Sequence, residues 1–189
     1  MSATVIEAPP IRLSNLAWVA LALVATAVVI ARGSLWALTF AHVFAGLLWT
    51  GIDLFLGFIL GPILRELPLP ARRAVVLRLL PKTLFLLPTL AAITGTAGWF
   101  LASRMGFLAL PWPQYAWVMA ALLILTVLTA QGLGILLPAN LMVYFELRKP
   151  TPDTERIGRL MRRYVRVVAM QGIMQVSIIV IMTRFATGV

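Results

Sequence analysis

The sequence has no cysteine, one histidine and only six acidic residues in 189 positions. The first absence removes disulfides, thiolate metal sites and thiol chemistry together. The second means that one chain cannot give a haem iron two imidazoles. Charge of either sign is scarce: 12% of residues are charged and 61% are hydrophobic, whereas a soluble domain carries roughly a quarter charged residues. No phosphate-binding glycine loop, no H-E-x-x-H pair and no second histidine for a nucleophile–base arrangement is present. Internal repeats and low-complexity tracts are also missing.

What is there is hydrophobic length. Mean hydropathy is +0.98, and five apolar runs stand between clusters of charge, at about 15–30, 35–64, 84–103, 115–137 and 165–182. Runs of about 18 or more apolar residues are bilayer-spanning candidates. Backbone groups in lipid must be satisfied within a helix or a closed barrel. These runs lack the alternation of barrel strands, so the fold class predicted is all-α, a polytopic membrane helix bundle of five transmembrane helices. The second run would reach roughly 45 Å as a helix, more than the hydrocarbon core requires, so it must tilt, kink or protrude. The fourth is expected to continue past Pro138 to Leu147. The first run ends in Ile30-Ala31-Arg32, a poor cleavage site, and is expected to be a retained helix. A single membrane domain over 1–189 follows, with no soluble domain. The polar stretch 148–163 reads as an amphipathic helix leading into the fifth span, with Ile157, Leu160 and Met161 on one face.

The net charge of +10 does not call for nucleic acid, because the basic residues lie in the connections. The second-to-third connection holds Arg65, Arg72, Arg73, Arg78 and Lys82. The fourth-to-fifth holds Arg148, Lys149, Arg156, Arg159, Arg162, Arg163 and Arg166. The other side has Arg32, Arg104 and Arg184 alone. Basic residues gather on the cytoplasmic side, which predicts a multi-pass inner (plasma) membrane protein with its N-terminus in the cytoplasm and its C-terminus in the periplasm or outside. Trp36, Trp99, Trp112, Tyr115 and Trp117 then form an outer aromatic belt. The partner that composition dictates is the lipid bilayer.

Few polar residues interrupt the spans, and these are the candidates for chemistry. His42 lies in the second run, and a neutral imidazole is a good axial ligand for haem iron or another metal. Gly46, one turn on, would let a flat macrocycle approach the backbone. Met119 and Met174, with Met182, are candidates for a second axial ligand. The bland alternative for His42 is an interhelical hydrogen bond. Asp53 comes eleven residues after His42, three turns plus about 20°, so the two share a helix face. It is a candidate proton or ion group, unless it pairs with a loop arginine. Gln131, Asn140, Gln171 and Gln175 are further polar groups; Gln171 and Gln175 are one turn apart and read as interhelical hydrogen bonds. The small residues of Thr94-Gly95-Thr96-Ala97-Gly98 read as a close-packing surface.

The segment Ala41-His42-Val43-Phe44-Ala45-Gly46-Leu47-Leu48-Trp49-Thr50-Gly51 resembles the first core helix of the copper-resistance CopD family and of the HemJ-type protoporphyrinogen oxidases. The stretch from Arg78 to Trp99 and the helix beginning near Trp117 are similar to their next two helices. The resemblance covers about 35–185 and implies a four-helix core, with the helix at 15–32 as an addition. It implies a haem b held by His42. The HemJ-type lysine has no counterpart at Ala120 or Ala121, and Gln131 stands where a later histidine is usual, which argues against protoporphyrinogen oxidation. One histidine and scattered methionines make a poor copper path, since Cu(I) prefers soft ligands.

Three readings follow. The first is a haem-b-binding protein serving electron transfer, as a homo-oligomer or a subunit of a larger redox membrane complex. The second is a non-catalytic structural or assembly subunit. The third is a CopD-like transporter of copper or a small solute, with Asp53 and Gln131 lining its route.

Overall fold

A computed structural model of the chain describes residues 13–188. The flank with Glu7, Pro9, Pro10 and Arg12, and the final residue of the domain expected over 1–189, lie outside the described residues. Among the described residues there are five long helices, α1 (Asn15–Arg32), α2 (Leu35–Glu66), α3 (Leu69–Arg104), α4 (Tyr115–Arg148) and α5 (Thr154–Ala186), with a single short 3-10 turn, Phe107–Ala109, between α3 and α4. Each of the five is long and apolar enough to cross a membrane. Among the described residues there is no strand. The fold is the all-α membrane bundle that composition predicts.

Helices α2 to α5 have 32 to 36 residues each, whereas about 20 suffice for the hydrocarbon. The excess lies at the end where α2, α3, α4 and α5 carry their arginines, called the basic end below. Sequence patterning misplaces one start there: helix α3 begins at Leu69, not near 84, whereas α5 begins at Thr154 within the amphipathic helix expected to lead into the fifth span. Most of the basic residues assigned to connections are therefore helical. The reason is physical: these turns are amphipathic, so a search for apolar runs passes over them. Pro70 sits in the first turn of α3, where its missing N–H costs nothing. Asp153 caps α5 by accepting from the Arg156 backbone N–H at 2.9 Å.

Two helices change pitch. Residues Phe55–Leu60 of α2 and Gly132–Leu136 of α4 are π-helical. Each stretch is followed within two residues by a proline, Pro62 or Pro138. A proline donates no hydrogen bond and its ring crowds the carbonyl four residues back. A wider turn relieves that crowding. The helix goes on, so α4 does pass Pro138 as expected.

Lipid offers no hydrophobic drive between helices, so close packing and buried polar contacts must hold them. Helix α2 lies along α3, α1 packs outside against α3, and α5 touches α2 and α4. Ala45 and Trp49 of α2 bury against Leu90 of α3 and Leu128 of α4. A second cluster, Leu77, Val143, Tyr144 and Leu147, occupies the basic end; Ile157, Leu160 and Met161 pack on it, the face their spacing predicts. Arg73 of α3 donates to the carbonyls of Leu147 (2.9 Å) and Lys149 (3.1 Å) at the end of α4. Glu146, buried, takes Lys149 at 2.8 Å, Arg156 at 3.3 Å and the Asp153 backbone N–H at 3.2 Å. These bonds tie α3, α4 and α5 together at that end. Toward the opposite end, α3 and the Tyr115–Gln131 part of α4 barely touch.

Candidate functional site

His42 sits on the same stripe of α2 as Leu38, Ala45 and Trp49, all buried, and so turns toward α3. Its Nδ1 lies 2.9 Å from the Thr94 carbonyl oxygen. The carbonyl can only accept, so Nδ1 carries the proton and donates. That tautomer leaves Nε2 with a free lone pair. Gly98, one turn beyond Thr94, is required here: a Cβ on it would stand 2.7 Å from the imidazole ring. The interhelical hydrogen bond weighed for His42 is therefore present.

Gly46 faces Thr94, whose methyl would lie 3.3 Å from a Cβ at that position. The room expected there for a macrocycle is taken by the side chain of α3, which corrects the role given to Gly46. The Thr94-to-Gly98 segment is the close-packing surface its small residues predict, and Ala97 within it is fully buried. Met119 is half-exposed on α4. Met174 packs on the cluster around Trp49 and Leu90. The described contacts bring neither methionine to His42. Among the described residues no three histidine, cysteine or acidic side chains gather in a metal-holding group.

Asp53 follows the seam of His42 three turns toward the basic end and faces α5. Glycines allow the approach: Gly57 of α2 packs against Val168, and Gly172 of α5 packs against Leu54 and Phe58. Asp53 Oδ2 accepts from Gln175 Nε2 at 2.8 Å and from Gln171 Nε2 at 3.3 Å. The Trp49 side chain also hydrogen-bonds Asp53, so its partners are neutral donors and not a loop arginine. Both glutamines are buried, and both keep an Oε1 without a hydrogen-bond partner in the protein. Gln171 and Gln175 make the interhelical bonds read from their spacing, with Asp53 as their shared acceptor. Gln131 is buried on α4, its Oε1 likewise unpartnered.

Between α3 and α4, where the two helices part, lies a cavity of about 480 Å³. One wall is the stripe Leu84, Leu87, Ala91, Gly95 and Trp99 of α3; the facing wall is Leu125, Thr129, Gly132 and Leu136 of α4. Small residues dominate the middle of both walls. Trp49, Asp53 and Gln171 form the back, and Asn140 and Tyr164 the basic end. The Tyr164 hydroxyl meets the Asn140 amide there. Ala92, Thr96, Trp99, Thr129 and Leu133 line the mouth and are exposed on the bundle surface, where hydrocarbon would surround them. His42, Gly46, Met119, Met174 and Gln131 do not line this cavity. Sequence reasoning passed over Tyr164, Trp49 and the α3–α4 walls as site residues; the signal for Tyr164 was its place one turn before Val168 and two before Gln171 on the inward face of α5. No family model, curated protein or solved structure matches the chain.

Proposed function

We propose that the chain is an inner-membrane protein that takes a small amphipathic molecule from the bilayer into the cavity between α3 and α4. The observation that carries this reading is the cavity's polarity. Its walls are mostly apolar, with Thr83, Thr96 and Thr129 among them, and its amide, carboxyl and phenol groups, Asp53, Gln171, Asn140 and Tyr164, are gathered at the back and the basic end. Ligand sites are mostly apolar with a few placed polar groups. The fitting ligand has one hydrogen-bonding head and an apolar body, and it enters sideways between the helices. The clusters of arginine on one end support a cytoplasmic basic end, with the N-terminus inside and the C-terminus outside. The test is extraction and mass analysis of what co-purifies in lipid nanodiscs. Wild type should retain a stoichiometric amphipathic molecule, and Ala92→Trp, which fills the mouth, should lose it. Bulk lipid alone in both samples sinks the reading.

A haem b on His42, serving electron transfer within a homo-oligomer or a larger redox complex, is the second reading. The Nδ1–H bond to the Thr94 carbonyl favours it, because that bond orients the ring and leaves Nε2 for iron. The likeness to the CopD and HemJ-type helices supports it too. The groove between α2 and α3 does not itself offer a macrocycle a bed, since Gly46 and Gly98 are both filled by their neighbours; a second copy would have to complete the site. A reduced-minus-oxidised spectrum without a b-type band, after expression with ample haem, removes this reading. A copper or solute route past Asp53 has less support, since Gln131 does not line the cavity that Asp53 lines.

A further inference from the structure

Asp53 is a carboxylate deep in the bundle with no lysine or arginine bridged to it among the described residues. Its contacts are the side chains of Gln171, Gln175 and Trp49, and both amide Nε2 atoms end on Oδ2. Gln171 is 3% and Gln175 1% exposed, yet each keeps an Oε1 with no partner in the protein. An amide's oxygen and nitrogen share one carbon, so each orphan Oε1 lies within a few ångströms of Asp53. Two acceptor oxygens without a donor, the Oε1 atoms of Gln171 and Gln175, thus lie near a single carboxylate.

Two debts need settling at once, the charge and the orphan acceptors, since both are costly in a low-dielectric interior. A proton on Asp53 settles the charge but supplies one O–H donor for two amide oxygens. A divalent ion satisfies the oxygens but leaves a net positive charge buried. A ligand hydroxyl supplies donors and leaves the charge. A monovalent cation meets both demands, and oxygen ligands are what a hard cation takes. We propose that Asp53, Gln171 and Gln175 form a binding site for a monovalent alkali-metal cation between α2 and α5, completed by water from the cavity. Asp53 and Gln171 both line that cavity, and Asn140 and Tyr164 extend the polar lining toward the basic end.

The test uses the purified full-length chain in detergent without added amphipathic ligand, so its outcome is separate from that of the cavity reading. Radioactive sodium binding is measured at constant ionic strength, with choline chloride replacing sodium chloride. Wild type should bind one sodium ion per chain saturably, and its thermal midpoint should rise with occupancy. Gln171→Leu and Gln175→Leu should each weaken binding by about tenfold or more, and Asp53→Asn should abolish it. No saturable binding by wild type overturns the proposal, whatever the variants do. So does undiminished binding by a folded Asp53→Asn, or stronger competition by calcium than by potassium.

Discussion

The imidazole of His42 and the missing side chain of Gly98 are two halves of one contact. With a Cβ 2.7 Å from the ring, Gly98→Ala must either break the bond from Nδ1 to the Thr94 carbonyl or push α2 away from α3. Overpacking of this kind costs roughly 1–3 kcal/mol, and the interhelical hydrogen bond adds about 0.6. In a His42→Ala background the clash is gone, so the same substitution should cost little. A double-mutant cycle read by denaturation in mixed micelles measures the difference. Additive single effects would show that ring and glycine do not meet. Half of this pair was legible: a histidine at that depth is an obvious candidate, and the small-residue run 94–98 is an obvious packing face. That the two were each other's partners was not, because nothing in a sequence states the register of one helix on the next. Asp53 was more readable. Its face followed from counting turns, and two glutamines at i and i+4 on another helix read as interhelical hydrogen bonds, but nothing in the sequence joined them to Asp53.

At the scale of elements, helix existence was plain and helix ends were not. Bilayer-crossing runs announce themselves by length, whereas the first turns of α3 are amphipathic and look like a loop to any apolar count. The cap of α5 shows what fixes such an end. The Arg156 backbone N–H donates to Asp153, and this bond, above the neighbouring arginines, holds the Asp153 carboxyl below the usual carboxylate range. A depressed folded value means that the cap stabilises above the ordinary carboxylate pKa and is lost as pH falls through the depressed one. Amide exchange in residues 154–157, corrected for intrinsic rates, should therefore speed up below about pH 4. In Asp153→Asn that acid dependence should vanish. A flat profile in wild type would mean that the turn is held by Ile157 and Leu160 in the core and not by its cap.

For the whole molecule, the absence of cysteine turns an exclusion into a tool. Single cysteines can be placed without removing any native one. If the basic end faces the cytoplasm, Thr151→Cys should be shielded from a membrane-impermeant maleimide in intact cells and labelled in inverted vesicles. Ser103→Cys should behave in the opposite way. The reverse pattern would invert the topology and leave the bundle untouched. The cavity was the least legible feature of all, since it depends on which helices fail to touch. Neighbours in sequence are usually neighbours in space, and here α3 and α4 are joined at one end by their own connection, whose Phe107 stacks on Phe185 of α5, and at the other by arginine-to-carbonyl bonds, with a cavity between.

That uneven fastening gives the molecule a grain. Arg73 pins the two walls at the basic end as a rivet pins a pair of tongs, and small side chains line the middle of the blades. Helices tilt to match the thickness of the bilayer around them, so two bilayers of different thickness are expected to hold the same mouth at two different widths.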